Sequence, residues 1–187
     1  LQSYAAGPDS AAIKKLAEKG DAKAQSQLGY LYYSGEGVPQ SFEEAVKWYQ
    51  KAAAQGDKDA QYNLAVAYAF GEGVKQDFNQ ATGWYSRAAV QGHPVAQYSL
   101  GVSYAYGEGV DQDQKVAAEW FLKSAKAGYL KAQVMVGSLY HTGDGLPKDY
   151  NKAAEWYRKA ADRGDAAAQY NLGGLYRAGK GVEKNVD

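Results

Sequence analysis

One period governs this chain. Gly20, Gly56, Gly92, Gly128 and Gly164 recur every 36 residues, and the four tryptophans, Trp48, Trp84, Trp120 and Trp156, share one position of that period. Self-similarity at a spacing of roughly 20–50 residues marks a protein built from stacked repeats. Each repeat is too small to bury its own apolar face and gains stability from its neighbours. Full units start at residues 20, 56, 92 and 128, and an incomplete one starts at 164.

Each unit reads as two helices. The first carries Ala24, Leu28, Gly29 and Tyr32, echoed by Ala60, Leu64, Ala65, Tyr68 and by Ala96, Leu100, Gly101, Tyr104. That spacing lays one stripe along a helix face. Asp21 and Asp57 suit its N-cap, and Pro94 suits a first helical position. Glycine inside a helix costs roughly 1 kcal/mol against alanine, so its recurrence at 29, 101 and 137 predicts a packing reason. A Gly-x-Gly turn then stops the helix, as at Gly71-Glu72-Gly73. The second helix starts at Ser41, Asp77, Asp113 and Asp149, with a capping box expected between Ser41 and Glu44. Its buried stripe is Ala45, Trp48, Tyr49, Ala52 and Ala53, and Glu43–Lys47, Glu119–Lys123 and Glu155–Lys159 are expected to pair across its solvated face.

Both ends depart from the unit. Residues 1–9 read as a loose lead-in. Ser10 to Lys19 suggests a short amphipathic helix through Ile13, Leu16 and Ala17, in register with a second helix and with Ala12 in place of Trp. Residues 1–19 are thus expected to form a lead-in and a capping half-repeat, ahead of a repeat domain over 20–187. The last unit supplies a first helix (Ala168, Leu172, Gly173, Tyr176) and its turn (Gly179-Lys180-Gly181-Val182). The chain stops just past Asn185, an N-cap type, before the second helix. The expectation is a segment of a longer protein, or an open face available for self-association.

Composition narrows the chemistry. With 21 basic and 21 acidic residues the formal charge is zero, against the basic stripe that a nucleic-acid backbone requires. There is no Cys, so disulfides and thiolate metal sites are excluded. No run of about 18 apolar residues is available to span a membrane. His93 and His141 stand 48 residues apart at different repeat positions, which offers neither a metal site nor a nucleophile–base pair. The stretch GLYRAGKG from Gly174 to Gly181 matches part of a phosphate-binding loop, but Gly181 stands where Ser or Thr must hold the metal, and it ends a helix instead of following a strand. The turn carboxylates Glu36, Glu72, Glu108 and Asp144 stand at similar heights on successive repeats; a cation ladder or a basic partner is conceivable there, yet repeat geometry alone explains them. No cofactor and no catalytic residue are expected.

The pattern Ala-Gln-x-x-Leu-Gly-x-x-Tyr-x-x-Gly-x-Gly-Val, followed by Asp-x-x-x-Ala-x-x-Trp-Tyr-x-Lys-Ala-Ala-x-x-Gly, resembles the Sel-1-like repeat, a relative of the tetratricopeptide repeat. The resemblance runs from residue 20 to about 185. Local departures are Thr82-Gly83, Ser124 for Ala, Tyr129 for Asp and Val136 for Leu. The resemblance implies an all-α fold, a right-handed α/α superhelical solenoid of antiparallel helix pairs. It also implies an adaptor that holds partner proteins, in families frequently bacterial and often in the periplasm, at the envelope or secreted.

In such solenoids the first helices line the concave side. Carried over, this places Tyr30, Tyr33, Tyr62, Asn63, Val66, Tyr98, Tyr106, His141, Tyr170 and Asn171 in the groove, with Asp59 and Phe70 beside them. Tyr gives wide contact at low entropy cost, and Asn offers donor and acceptor together to an extended backbone. Two readings stand for these tyrosines: partner contacts, or packing between adjacent repeats. The function expected is a non-enzymatic scaffold that binds a peptide or protein segment. The alternative is a glycan or cell-wall fragment on the tyrosine-rich surface.

Overall fold

The computed structural model describes residues 10–181, and the expected Val182 and Asn185 positions lie outside them. Among the described residues there are ten α-helices: α1 (Ser10–Glu18), α2 (Ala22–Ser34), α3 (Phe42–Ala54), α4 (Lys58–Phe70), α5 (Phe78–Val90), α6 (Pro94–Tyr106), α7 (Gln114–Lys126), α8 (Leu130–Thr142), α9 (Tyr150–Ala161) and α10 (Ala166–Ala178). They form consecutive antiparallel pairs of 36-residue repeats, an all-α helical-repeat solenoid. Contacts divide the chain into two units, Leu1–His93 and Pro94–Asp187.

The caps lie where the sequence puts them. Asp21 Oδ1 accepts from Ala24 N at 2.7 Å, and Ser41, Asp77, Asp113 and Asp149 accept from the first-turn amides of α3, α5, α7 and α9. Tyr129 makes no side-chain cap bond at the start of α8. The Ser41 capping box is only half present. Ser41 Oγ takes the Glu44 amide, but the Ser41 N–H is already donated to the Tyr32 carbonyl at 2.9 Å. The Glu44 carboxylate instead meets Lys47 at 2.6 Å, so Lys47 pairs with Glu44 and not with Glu43. Lys123 and Lys159 lie over Trp120 and Trp156, as Lys51 and Arg87 lie over Trp48 and Trp84. A cation three residues beyond each half-buried indole gains more from the ring face than from a solvated carboxylate four residues away.

Within the first unit, α1 meets α2 as later second helices meet the first helix that follows them. Gln25 Nε2 donates to the Ala17 carbonyl at 3.1 Å, and Gln61 Nε2 donates to that of Ala53 at 3.2 Å. Both glutamines are buried, and each also accepts from a glutamine 30 residues on, Gln55 and Gln91, at 2.8 Å. A buried amide satisfied on both atoms ties neighbouring helices at a fixed register. In the turns, Gly73 has φ +73°, and a Cβ there would run into the Phe42 carbonyl. Only glycine allows that approach of turn to helix.

The recurring in-helix glycine accommodates a ring. A Cβ on Gly29 would stand 2.6 Å from the Tyr49 ring, one on Gly101 2.7 Å from Phe121, and one on Gly137 2.6 Å from Tyr157. In α10 a Cβ on the equivalent Gly173 would meet nothing within 4 Å among the described residues. Leu172 is only half-buried there, where Leu28, Leu64, Leu100 and Val136 are buried. Two departures are absorbed by the core. Val136 is fully buried, and the buried Ser124 hydroxyl donates to the Pro94 carbonyl at 2.7 Å.

Candidate functional site

The ten residues expected in the groove separate into two groups. Tyr33, Tyr62, Tyr98 and His141 are engaged in ring packing. Tyr33 lies 5.3 Å from Phe42, and burial followed by the Glu72 carboxylate holds its phenol above the usual range. Tyr62 stacks on His93 at 4.7 Å and tilts against Tyr85 at 5.9 Å. Tyr98 sits 5.3 Å from both Phe121 and Tyr129, and burial, then Tyr129 and Tyr106, pushes its hydroxyl pKa up. His141 meets Tyr150 and Tyr157 edge-on at 5.5 and 6.3 Å. These contacts follow the packing reading of the tyrosines.

The remaining six present surface. Tyr30 is half exposed, and Tyr106 and Tyr170 are 74% exposed, with Phe70 similarly open. Asn63, Val66 and Asn171 are half-buried. Tyr62 and Tyr98, at the same place as Tyr170 in earlier repeats, lean on Tyr85 and Phe121 of second helices.

In the first unit, Tyr30 and Asn63 come together. They line a cavity of about 340 Å³ with Ser26, Gln27 and Leu31 of α2, Ile13 of α1, Glu36 of the turn after α2, and Asp59 of α4. Ile13, Leu31 and the Tyr30 ring supply apolar wall; Ser26, Gln27 and Asn63 supply polar groups. Two carboxylates, Glu36 and Asp59, stand on it, and among the described residues no basic one lines it. Asp59 Oδ1 is also 3.5 Å from His93 Nε2, and burial, the dominant influence, lowers the His93 pKa. Burial thus favours the neutral form of His93 beside Asp59.

The sequence reading missed Ile13 and Leu31 as cavity walls and took Glu36 for repeat geometry. Glu36 belongs to a turn that recurs in every unit, so only the non-repeating residues around it, Tyr30 and Asp59, distinguish it. The GLYRAGKG stretch ends α10 and turns at Gly179, as its position after a helix implies. Among the described residues, no group of three His, Asp or Glu is placed to hold a metal ion, and no helix is long and apolar enough to cross a membrane.

The Sel1 repeat family model matches residues 22–57, 58–93, 94–129, 130–165 and 166–187. Solved structures agree. A protective antigen of uropathogenic Escherichia coli strains, displaying an SLR fold, is 42% identical with a TM-score of 0.91, over 96% of this chain and 38% of its own. A Sel1 repeat protein from Oxalobacter formigenes is 32% identical with a TM-score of 0.85, over 94% of this chain and 78% of its own. An immunity protein from Pseudomonas aeruginosa is 26% identical with a TM-score of 0.57, over 89% of this chain and 61% of its own. The chain thus spans well under half the length of the Escherichia coli antigen. Among curated proteins, none matches it.

Proposed function

The chain belongs to the Sel1 repeat family, and from that premise we propose that it is a non-enzymatic scaffold holding a peptide or protein segment against the face built by its first helices. Sel1 repeat proteins typically bind proteins. The observation that carries the reading is the cavity between α2 and α4. There Tyr30 and Asn63, residues that vary from repeat to repeat, stand free of the packing stripe beside an apolar wall. A few placed polar groups on an apolar concavity are what a ligand site needs. Val66 stands on α4 as well, and Tyr106, Tyr170 and Asn171 stand on first helices of the second unit. Tyr33, Tyr62, Tyr98 and His141 hold the repeats together and act on a partner only through the surface they shape. We read α1 as the half-repeat that caps this array, since its bonds to α2 copy those of α3 to α4.

Panning the immobilised protein against a random-peptide display library tests the reading. Tyr30→Ala with Asn63→Ala should lose the captured peptides while melting as the wild type does. Full retention by that variant would remove the face assignment.

A further inference from the structure

Resting on the peptide-binding reading above, we infer that the cavity between α2 and α4 is an arginine pocket: it takes the side chain of an arginine from an extended partner segment. The cavity wall is apolar at Ile13, Leu31 and the ring of Tyr30, and its two ionised groups, Glu36 and Asp59, carry the same sign. An arginine divides in the same way, into an apolar stem and a planar cation.

Three features select this occupant over others of similar size. An aliphatic or aromatic side chain would cover the wall but would strip water from two carboxylates without replacing their hydrogen bonds, which is unfavourable. An acidic side chain would meet like charge. A guanidinium offers five donors in a flat fork, enough to serve both carboxylates while its face lies on the Tyr30 ring.

The surroundings preserve the negative potential. Among the described residues no cation lines the cavity beside Glu36, and Tyr30 and Asn63 are neutral. Asp59 faces the imidazole of His93, whose burial favours its neutral form, with Lys58 and Asp57 of opposite sign nearby. A volume of about 340 Å³ is at the small end for ligand sites, of a size for one side chain and not for a folded element. Asn63 and Gln27 at the cavity offer paired donors and acceptors to the backbone on either side of the inserted residue.

The inference also separates the first unit from the other repeats. Where Tyr30 stands, later repeats carry Val66, Val102, Ser138 and Gly174, and where Asp59 stands the next carry Val95 and Lys131. A ring at the Tyr30 position is followed by a carboxylate at the Asp59 position only in this pair of repeats, so the partner segment is registered on the scaffold by its arginine.

The test uses the whole chain and an array of random nonapeptides, with the best binder resynthesised to carry citrulline in place of each arginine. Citrulline keeps the shape and removes the charge. Binders should be enriched in arginine, and one citrulline replacement should weaken binding about tenfold or more, the scale of a close charge pair across an interface. The Glu36→Gln, Asp59→Asn double variant should bind both peptides equally and weakly. A Glu119→Gln, Glu155→Gln double variant, which removes the same charge from exposed second-helix positions, should keep the discrimination. If peptides bind through Tyr30 and Asn63 but arginine and citrulline are not distinguished, the arginine pocket is wrong and the peptide-binding reading stands. If no nonapeptide binds, both are wrong. If Glu36→Gln, Asp59→Asn keeps the full preference for arginine, the cation is recognised elsewhere and the inference is overturned.

Discussion

Alanine at Gly137 and at Gly173 is the same substitution at the same repeat position, and the structure predicts opposite signs. At Gly137 the new methyl would stand 2.6 Å from the Tyr157 ring. That ring is 1% exposed, and its hydroxyl is hydrogen-bonded to Ser138, so it has little room to withdraw. Overfilling such a site costs about 1–3 kcal/mol, against which the helix gains about 1 kcal/mol from losing a glycine. The net is a loss of roughly 0–2 kcal/mol. Ala65 shows an accommodated version, since the equivalent ring, Tyr85, is 8% exposed where Tyr157 is 1%. At Gly173 no atom of the described residues lies within 4 Å of the added carbon. Only the backbone term remains there, a gain of about 0.5–1 kcal/mol. The two variants should differ by roughly 1–3 kcal/mol, or about 3–10 °C in midpoint for a chain of this size. Parallel thermal and urea melts read the difference directly. If Gly137→Ala stabilises as much as Gly173→Ala does, the glycine is not there to admit the ring, and the packing account of the repeat fails.

Gly83 is exposed in mid-α5 with nothing within 4 Å of a Cβ, so Gly83→Ala should stabilise by about 0.5–1 kcal/mol in a urea melt; a loss would mean that the helix is held in a shape only glycine allows. Gln61→Leu removes the buried amide that bonds both Ala53 and Gln91, and should cost about 1–3 kcal/mol while Gln50→Leu on the exposed side of α3 changes little. His93 has its pKa lowered, mainly by burial. The unfolded chain therefore binds the proton more tightly than the folded one, and stability is full above the usual histidine value of about 6.5 and falls as pH drops below it. Melts at pH 7.5 and 5 should show this loss shrinking in His93→Phe, which keeps a ring on Tyr62 but cannot titrate; an unchanged pH slope would assign it to other groups.

What repeats was legible in the sequence, because repetition removes the ambiguity of any single helix. Asp57, Asp77 and Pro94 occupy the cap and first-turn positions expected of them. Where the reading failed, the contest was between neighbours of similar strength. Lys123 could reach Glu119 or the Trp120 ring, and the spacing favours both. Tyr30 and Tyr62 are both tyrosines off the packing stripe, yet one is half exposed and the other stacks on His93. The difference lies in a histidine 31 residues away, which no local pattern reveals. The cavity was equally hidden, since Ile13, Glu36 and Asp59 converge from three different segments. In a repeat protein the shared letters specify the scaffold, and the letters that differ specify what it can hold.

The central claim is that the first helices present the binding face. It is tested most directly by titrating ¹⁵N-labelled protein with a peptide selected on the display library and following amide shifts. The account predicts saturable changes at Gln27, Tyr30, Glu36, Asp59 and Asn63. Changes confined to α3 and α5 around Trp48, Lys51, Trp84 and Arg87, with α2 and α4 silent, would contradict it.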